Sequence, residues 1–231
     1  MLRVVFSGVL LMTSFGTGPA QGTTQPSNAG LPHSTQPQTE RDGEQAASQE
    51  SYEALLERVK KGDPGVDFFQ LRMAYAASPG YDPYDFRHMG DRQAMREAFG
   101  SQDYVNAMLL AKRIVADNYL DIESHRLMGI LLKAAKMPRE AELEESLVTN
   151  LLDSIKNTGD GTSPKTAFIV ISLAEERAML SLSVLGFKSA GRQSLVLEGG
   201  HRYDRIEAVD PRTSKTAVFY FDVTRLVERR K

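Results

Sequence analysis

The stretch GDGTSPKTAFIVI, residues 159–171, separates two parts of the sequence that have different hydrophobic periods. Before it, apolar residues recur every three to four positions, which is typical of helices. After it, they alternate from residue to residue, which is typical of strands. The sequence therefore predicts an α+β protein with one domain over residues 51–226. Within it, residues 51–157 are expected to form an all-helical layer and residues 164–226 a strand-rich part.

The helical layer has a tetratricopeptide-like character in residues 101–155. Ala107 and Ala141 stand at equivalent places in two predicted helices, 34 residues apart, which is the tetratricopeptide period. Gly129 lies in the helix between them, where a small residue lets a neighbouring helix approach closely. An earlier helix is predicted to start after Asp67, a residue type that caps helices. Stacked helices of this kind present a surface that a partner can bind.

The strand-rich part begins with one helix and continues as a small sheet. Ser172 and Glu175 are predicted to form a capping box for this helix, and Gly186 is predicted to end it. Three strands are predicted after it, at residues 194–197, 203–209 and 217–223. Four apolar residues of the last strand share one face: Ala217, Phe219, Phe221 and Val223. This alternation predicts a small antiparallel β-sheet with one buried side.

Residues 1–20 have the features of a signal peptide. Arg3 is followed by a mostly apolar run over residues 4–15, and the segment ends in Ala20, a small residue of the kind that signal peptidases favour. A run of this length is too short to span a bilayer, which takes about 20 apolar residues. A buried N-terminal helix is the alternative. We expect export to the periplasm or the cell exterior, and a disordered polar linker over residues 21–50.

Composition excludes several classes of protein. The chain has 28 Lys and Arg residues against 30 Asp and Glu residues, a formal net charge of −2, so it has no electrostatic footprint for nucleic acid. It contains no cysteine, which excludes disulfides and the lipid-modified thiol of bacterial lipoproteins. No segment after residue 20 is apolar enough for a membrane span. We therefore expect a soluble mature protein that is stabilised by an ordinary apolar core.

His201 is the strongest catalytic candidate. It follows two glycines in a predicted hairpin turn, where an exposed imidazole titrates near neutral pH. Asp204 lies close enough in sequence to orient the ring, and Asp82 could join them from a distant segment. This set would suit a hydrolase, but no serine or cysteine has the sequence setting of a nucleophile. The alternative is that His201 is an ordinary polar turn residue.

Two loops carry candidate binding residues. Tyr81 and Tyr84 flank aspartates in an irregular turn that could line a cleft, although aspartates beside proline also simply form turns. Asp160 offers an oxygen ligand for calcium in a glycine turn, but the EF-hand spacing is absent and a structural turn is the alternative. The histidines do not have the spacing of a helical zinc site. We therefore expect no metal site and no cofactor.

Several motifs, taken in order along the chain, resemble those of one bacterial family. They are Val66-Asp67-Phe68, Leu71-Arg72, Ala74-Tyr75, Tyr81-Asp82-Pro83-Tyr84, Gly159-Asp160-Gly161-Thr162-Ser163-Pro164, Ala167-Phe168, Glu175-Glu176, Leu185-Gly186, Gln193-Ser194-Leu195 and Phe219-Tyr220-Phe221-Asp222-Val223. Their order and combination resemble the family known as domain of unknown function 4919, over nearly all of the chain from Tyr52 to Val223. The resemblance implies an exported protein of the family's shared architecture, and it implies no catalytic role for any residue.

The sequence favours a non-enzymatic binding or scaffold protein. No nucleophile, metal cluster or phosphate loop is recognisable. The tetratricopeptide-like helices predict an exposed groove lined by Leu, Met and Tyr side chains from residues 101–155. Its partner would be an envelope or extracellular protein. The alternatives are a periplasmic or secreted hydrolase that uses His201 with nearby carboxylates, and a purely structural envelope component.

Overall fold

The computed structural model describes residues 50–181 and 186–228, and the predicted signal peptide and nearly all of the predicted linker lie outside these ranges. The helical part contains α1 (Tyr52–Lys60), α2 (Phe68–Ala77), α3 (Met89–Gly100), α4 (Tyr104–Asp117), α5 (Ile122–Ala134) and α6 (Pro138–Lys156). The second part contains β1 (Phe168–Ile169), α7 (Leu173–Ser181), β2 (Lys188–Glu198), β3 (His201–Val209), β4 (Thr216–Asp222) and α8 (Thr224–Glu228). The predicted α+β class is confirmed.

The helices of the first part begin where short polar side chains can cap them. The carboxylate of Asp67 accepts hydrogen bonds from two backbone N–H groups in the first turn of α2, as predicted. Asp103 and Asp121 cap α4 and α5 in the same way. These side chains satisfy N–H groups that have no partner inside the helix. α6 begins instead with Pro138, whose fixed φ suits the first helical position.

Helices α3 to α6 form the tetratricopeptide-like layer, in which each helix packs against the next. Ala107 and Ala141 are both buried. Gly129 of α5 lies against α6, where an added Cβ would be 3.4 Å from Cβ of Glu144. Helices α3, α4 and α5 enclose a small apolar core of their own, formed by Met95, Ala107, Ala111, Ile114, Leu127, Met128 and Leu131.

The sheet has the strand order β1-β4-β3-β2. Strands β2, β3 and β4 form the predicted antiparallel meander, and Phe219 and Phe221 of β4 are buried on its inner side. β1 pairs with β4 in parallel, with Phe168 opposite Phe221, so the sheet is mixed and not wholly antiparallel. The chain passes through α7 and the β2–β3 hairpin between β1 and β4, and a parallel pair requires a long connection of this kind.

A buried ion pair ties the helical layer to the sheet. Arg72 of α2 is fully buried and donates to both carboxylate oxygens of Glu175 on α7, each at 2.7 Å. It also donates to the backbone carbonyls of Ser154 on α6 and Ile169 on β1. One side chain of α2 therefore contacts three other elements, and the charge of each partner in the pair is compensated inside the core.

The predicted capping box of α7 forms only in part. The backbone N–H of Glu175 donates to Ser172 Oγ, as in such a box. The carboxylate of Glu175 does not return to Ser172, because it is held by Arg72 and accepts a bond from the N–H of Ile171. The long-range ion pair therefore replaces half of the local motif.

The stretch between the two parts forms a tight turn that requires glycine. Gly161 has a φ of 69°, and an added Cβ would lie 2.3 Å from the ring of Phe168. Only glycine adopts this conformation in this space without strain. The carbonyl of Gly161 accepts a bond of 2.8 Å from the N–H of Tyr220 on β4. The turn thus fixes the end of the helical layer against the sheet.

Candidate functional site

Two neighbouring cavities lie where α3 and α5 face α7. Their volumes are about 550 and 430 Å³, and Arg92, Arg96 and Arg177 line both of them. We call the two cavities together the arginine groove. Lys188 and Ser189, at the start of β2, also line the larger cavity. The apolar lining of the larger cavity consists of Phe99, Leu127, Ile130, Ala174, Ala178 and Leu180.

The helical period brings the lining side chains to one side of α3 and α5. Arg92 and Arg96 are four residues apart on α3, and Glu123, Arg126 and Ile130 are three and four residues apart on α5. Residues at these spacings are neighbours on a helix surface. The groove therefore lies on the first helix of each of two helix pairs, α3–α4 and α5–α6.

The predicted groove of Leu, Met and Tyr side chains forms only in part. Leu127 lines the arginine groove, together with Ile130. Tyr104, Leu109 and Leu143 are exposed by 48%, 58% and 70%, but they are not part of this lining. Arginine and not tyrosine is therefore the characteristic side chain of the groove.

Arg92 is the buried anchor of the groove. Its guanidinium donates to the carboxylates of Asp85, Asp121 and Glu123. Burial raises the pKa of Asp121, but the adjacent Arg92 outweighs this effect and holds the pKa below its usual value. Asp121 is also the N-cap of α5, so the cluster fixes α3 against the start of α5. The donors of Arg92 are thus used within the protein.

The cations nearer the surface are less fully paired. Arg96 donates to both oxygens of Glu123 at 2.6 Å, and half of its side chain is exposed. Arg126 and Lys188 are exposed, and neither has a carboxylate partner within the part of the chain that the structure describes. Asp85, Asp121 and Glu123 bind Arg92 and Arg96, which leaves the charges of Arg126 and Lys188 in the larger cavity without a matching carboxylate among the described residues. The groove therefore presents positive charge.

A further cavity, of about 560 Å³, lies between the start of α2 and the end of α6. Asp67 in its wall caps α2, and Asp153 pairs with Lys156. The charged groups of this cavity are therefore engaged locally, in contrast to those of the arginine groove.

The aromatic loop before α3 contributes one predicted residue to the groove. Tyr84 lines the smaller cavity, donates its hydroxyl to the carbonyl of Leu226 at 2.9 Å, and stacks on Phe86. Tyr81 is buried in the core, and its hydroxyl donates to the carbonyl of Ile171. The carboxylate of Asp82 accepts a bond from the backbone N–H of Arg87 in its own loop. Tyr81 and Asp82 thus support the loop structure.

His201 lies at the start of β3 with an acidic partner that sequence reasoning missed. Its Nδ1 is 2.8 Å from a carboxylate oxygen of Asp222 on β4, and 55% of its side chain is exposed. Asp222 is directly opposite Tyr203, and His201 is two residues before Tyr203 on the same strand. His201 and Asp222 therefore both lie on the outer face of the sheet. Asp204 is three residues further along β3 and opposite the buried Phe221, so its side chain lies on the inner face. The predicted contact between His201 and Asp204 does not form.

Asp204 instead neighbours Glu176, a buried carboxyl group on α7. Glu176 is 5% exposed, and its Oε2 has no hydrogen-bond donor among the residues that the structure describes. Burial and the nearby charge of Asp204 raise the pKa of Glu176 to about 8. The side-chain amide of Gln193 donates a hydrogen bond of 2.6 Å to Oδ2 of Asp204. At neutral pH Glu176 is therefore mostly protonated and able to donate a hydrogen bond to Asp204.

Asp160 forms a structural turn. Its carboxylate accepts bonds from the backbone N–H and the hydroxyl of Thr162. Hydrogen bonds from Thr166 and Thr162 lower the pKa of Asp160. The carboxylate therefore has donors from its own loop, and the arrangement is that of a turn.

Neither a metal cluster nor a membrane helix is present in the part of the chain that the structure covers. Within residues 50–181 and 186–228, no three His, Asp or Glu side chains come together as metal ligands. Over the same residues, no helix combines the length and apolar character that crossing a membrane requires.

A comparison with known protein families finds one that matches most of the chain. The family model described as a domain of unknown function (DUF4919) matches residues 38–231. This chain belongs to that family. The DUF4919 match agrees with the sequence resemblance, whose motifs contain Arg72, Tyr81 and Glu175, residues of the core. No curated protein and no solved structure matches the chain. Arg92 and Arg126 of the arginine groove lie outside the DUF4919-like motifs.

Proposed function

We propose that this chain is a non-enzymatic binding protein that holds an anionic segment of a partner protein in the arginine groove. One observation carries the proposal: five cations and an apolar lining occur together in a cavity of about 550 Å³. Ligand sites combine apolar surface with a few placed polar groups in this way. The partner segment would carry Asp or Glu side chains next to apolar ones.

The cations of the lining differ in whether they are free to bind a ligand. Guanidinium groups bind carboxylates through two parallel hydrogen bonds, which gives both orientation and affinity. Arg126 is exposed and available for such a contact, and the exposed ammonium of Lys188 can donate single hydrogen bonds. Arg92 is held by Asp121 and fixes α3 against the start of α5. Burial of apolar side chains against Leu127 and Ile130 would supply the rest of the affinity.

The placement of the catalytic candidates gives less support to the alternative, a hydrolase. His201 pairs with Asp222 on the outer face of β3, while Asp204 lies on the inner face. Asp82 is bound within its own loop. A general base must lie within hydrogen-bond reach of its partners, and the three residues do not meet this requirement as a group.

We also propose that the chain is exported and that residues 1–20 are removed as a signal peptide. The positive start, the apolar run and the small residue at position 20 support this. The partner would then be an envelope or extracellular protein. Mass spectrometry of the protein from separated cell fractions tests the proposal. Mature protein that starts near residue 21, outside the cytoplasm, is expected, and retention of Met1 in the cytoplasmic fraction would overturn it.

Peptide binding tests the groove directly. A labelled peptide of alternating glutamate and leucine is titrated with the protein, and a glutamine–leucine peptide serves as its uncharged counterpart. We expect the glutamate peptide to bind at least about tenfold more tightly. The double variant Arg126→Glu, Lys188→Glu should abolish this preference.

Arg139 provides the matched control, because it is an exposed arginine on α6 outside the groove. The single variant Arg126→Glu should weaken binding of the glutamate peptide, whereas Arg139→Glu, which changes the net charge of the chain by the same amount, should leave the affinity unchanged. Equal weakening by both substitutions would mean that net charge, and not the groove, attracts the peptide. Equal binding of both peptides would also contradict the proposal.

A further inference from the structure

Strand β2 forms one edge of the sheet, and nothing pairs with its outer side within the residues that the structure describes. The strand runs over eleven residues, and nearly all of them are exposed. An edge strand presents a row of backbone N–H and C=O groups that can pair with another strand. The length of β2 makes it a template for such pairing.

The two halves of β2 differ in how this edge is protected. The first half carries a register shift between Ser189 and Arg192, with Gly191 at a φ of 76°. Bulges and basic side chains of this kind oppose edge-to-edge pairing. The second half, residues 193–198, pairs regularly with β3 and contains no proline, lysine or arginine. Pairing is therefore favoured at the second half only.

The side chains of the second half separate by face. Leu195 is opposite Asp204, so Leu195 and Leu197 lie on the inner face, where they are exposed by 55% and 71%. Arg192 is opposite Glu207 on the outer face, and Glu198 lies on that face as well. Within residues 194–198 the inner face of the open edge is thus formed by two leucines, and the outer face carries Glu198, with Arg192 further along the same face.

We propose that two copies of this chain pair antiparallel through residues 194–198 of β2, with Val196 on the two-fold axis. In this register Leu195 of each copy is opposite Leu197 of the other, so four exposed leucines meet on the inner face. Glu198 is opposite Ser194 and diagonal to Arg192 of the second copy, a distance that an arginine side chain spans. The two sheets become one continuous sheet.

The side chains identify a second copy as the partner. Any strand could satisfy the backbone groups of the edge, but self-pairing matches both faces at once. It covers each leucine pair with an identical pair, and it places opposite charges diagonally, as a two-fold interface requires. The pairing residues do not include Arg126 or Lys188, so substitutions at these two positions test the groove without changing the proposed interface. The two proposals therefore fail or succeed independently.

Molecular mass in solution gives the first test. Analytical ultracentrifugation of the mature chain over a range of concentrations should show a reversible monomer–dimer equilibrium. Leu197→Lys places like charges on both sides of the interface and should raise the dimer dissociation constant by about tenfold or more. Val105→Lys is the control, because Val105 is 73% exposed on α4, and it should have no effect. A monomer at every concentration, or equal weakening by both substitutions, would overturn the proposal.

Cysteine cross-linking tests the register, and the chain has no native cysteine to interfere. Residues opposite each other in an antiparallel pair have Cα atoms about 4.5–5.5 Å apart, which permits a disulfide. Val196→Cys should therefore form a covalent dimer on oxidation. Gln193→Cys lies off the proposed axis and should cross-link at least about tenfold more slowly. Faster cross-linking of Gln193→Cys would overturn this register.

Discussion

Arg72 in the core and the pair Arg126 and Lys188 in the arginine groove carry the same charge in two different environments. Arg72 is fully buried, and Glu175 together with two backbone carbonyls accepts its hydrogen bonds. Arg126 and Lys188 are exposed, with no carboxylate partner in the described part of the chain. The difference teaches that the partners of a cation, and not its position on a helix face, separate a structural role from a binding role.

The largest expected effect comes from breaking the buried pair. Arg72→Met leaves the carboxylate of Glu175 buried without its counter-charge, which should lower the free energy of unfolding by about 3–5 kcal/mol. Urea denaturation followed by circular dichroism measures the loss. The double variant Arg72→Met, Glu175→Leu should recover much of it, because neither charge remains in the core. A loss below about 1 kcal/mol for the single variant would show that water reaches this site.

The buried carboxyl group Glu176 gives an effect that depends on pH. Its folded-state pKa of about 8 lies above the ordinary value of 4.5, so the folded state holds a proton that the unfolded state releases. The stability contributed by this group is full below pH 4.5 and is lost as the pH rises towards 8. Glu176→Gln should therefore be more stable than the native chain at pH 8.5, by about 2–4 kcal/mol.

Unfolding measured across this pH range tests the assignment to Glu176. Asp204→Asn removes a charge that raises the pKa of Glu176, so the folded-state pKa should fall, and the loss of stability should become smaller and end at a lower pH. Glu142→Gln, an exposed site on α6, is the control and should change nothing. An unchanged pH profile in Glu176→Gln would contradict the pKa.

The smallest effect on stability is expected in the groove itself. Arg126→Ala removes an exposed side chain without a carboxylate partner, so the free energy of unfolding should change by less than about 0.5 kcal/mol. The affinity for the glutamate–leucine peptide should nevertheless fall by about tenfold. Under conditions in which it stays folded, Arg72→Met should instead lower the free energy of unfolding and leave the affinity for the peptide unchanged. Equal affinity of Arg126→Ala and the native chain would remove Arg126 from the site.

Local features of this fold could be predicted from the sequence. The cap at Asp67, the tetratricopeptide spacing of Ala107 and Ala141, and the antiparallel meander depend on residues near each other in the chain, and the structure contains them. The parallel pairing of β1 was missed because this strand has two residues and its partner follows much later. A strand of that length has no periodicity to detect.

The arginine groove could not be predicted from the sequence either, because its residues are distant from one another in the chain. His201 and Asp82 are chemically reactive residue types that a sequence identifies directly, whereas arginines are common on exposed helix faces and nothing local shows that they converge in the fold. The spacing of Arg92 and Arg96 on one face of α3 was available as a sign. Their meeting with Arg177 depends on how α7 packs, which is a property of the tertiary structure.

The most direct test of the arginine groove as the binding site follows individual arginine side chains during peptide binding. The side-chain Nε–H signals of the protein are recorded by nuclear magnetic resonance while the glutamate–leucine peptide is added. We predict that the signals of Arg96 and Arg126 shift in a saturable way, while those of Arg72 and Arg139 stay in place. Saturable shifts at Arg139 without shifts at Arg126, or no shift at any arginine, would contradict the arginine groove as the binding site.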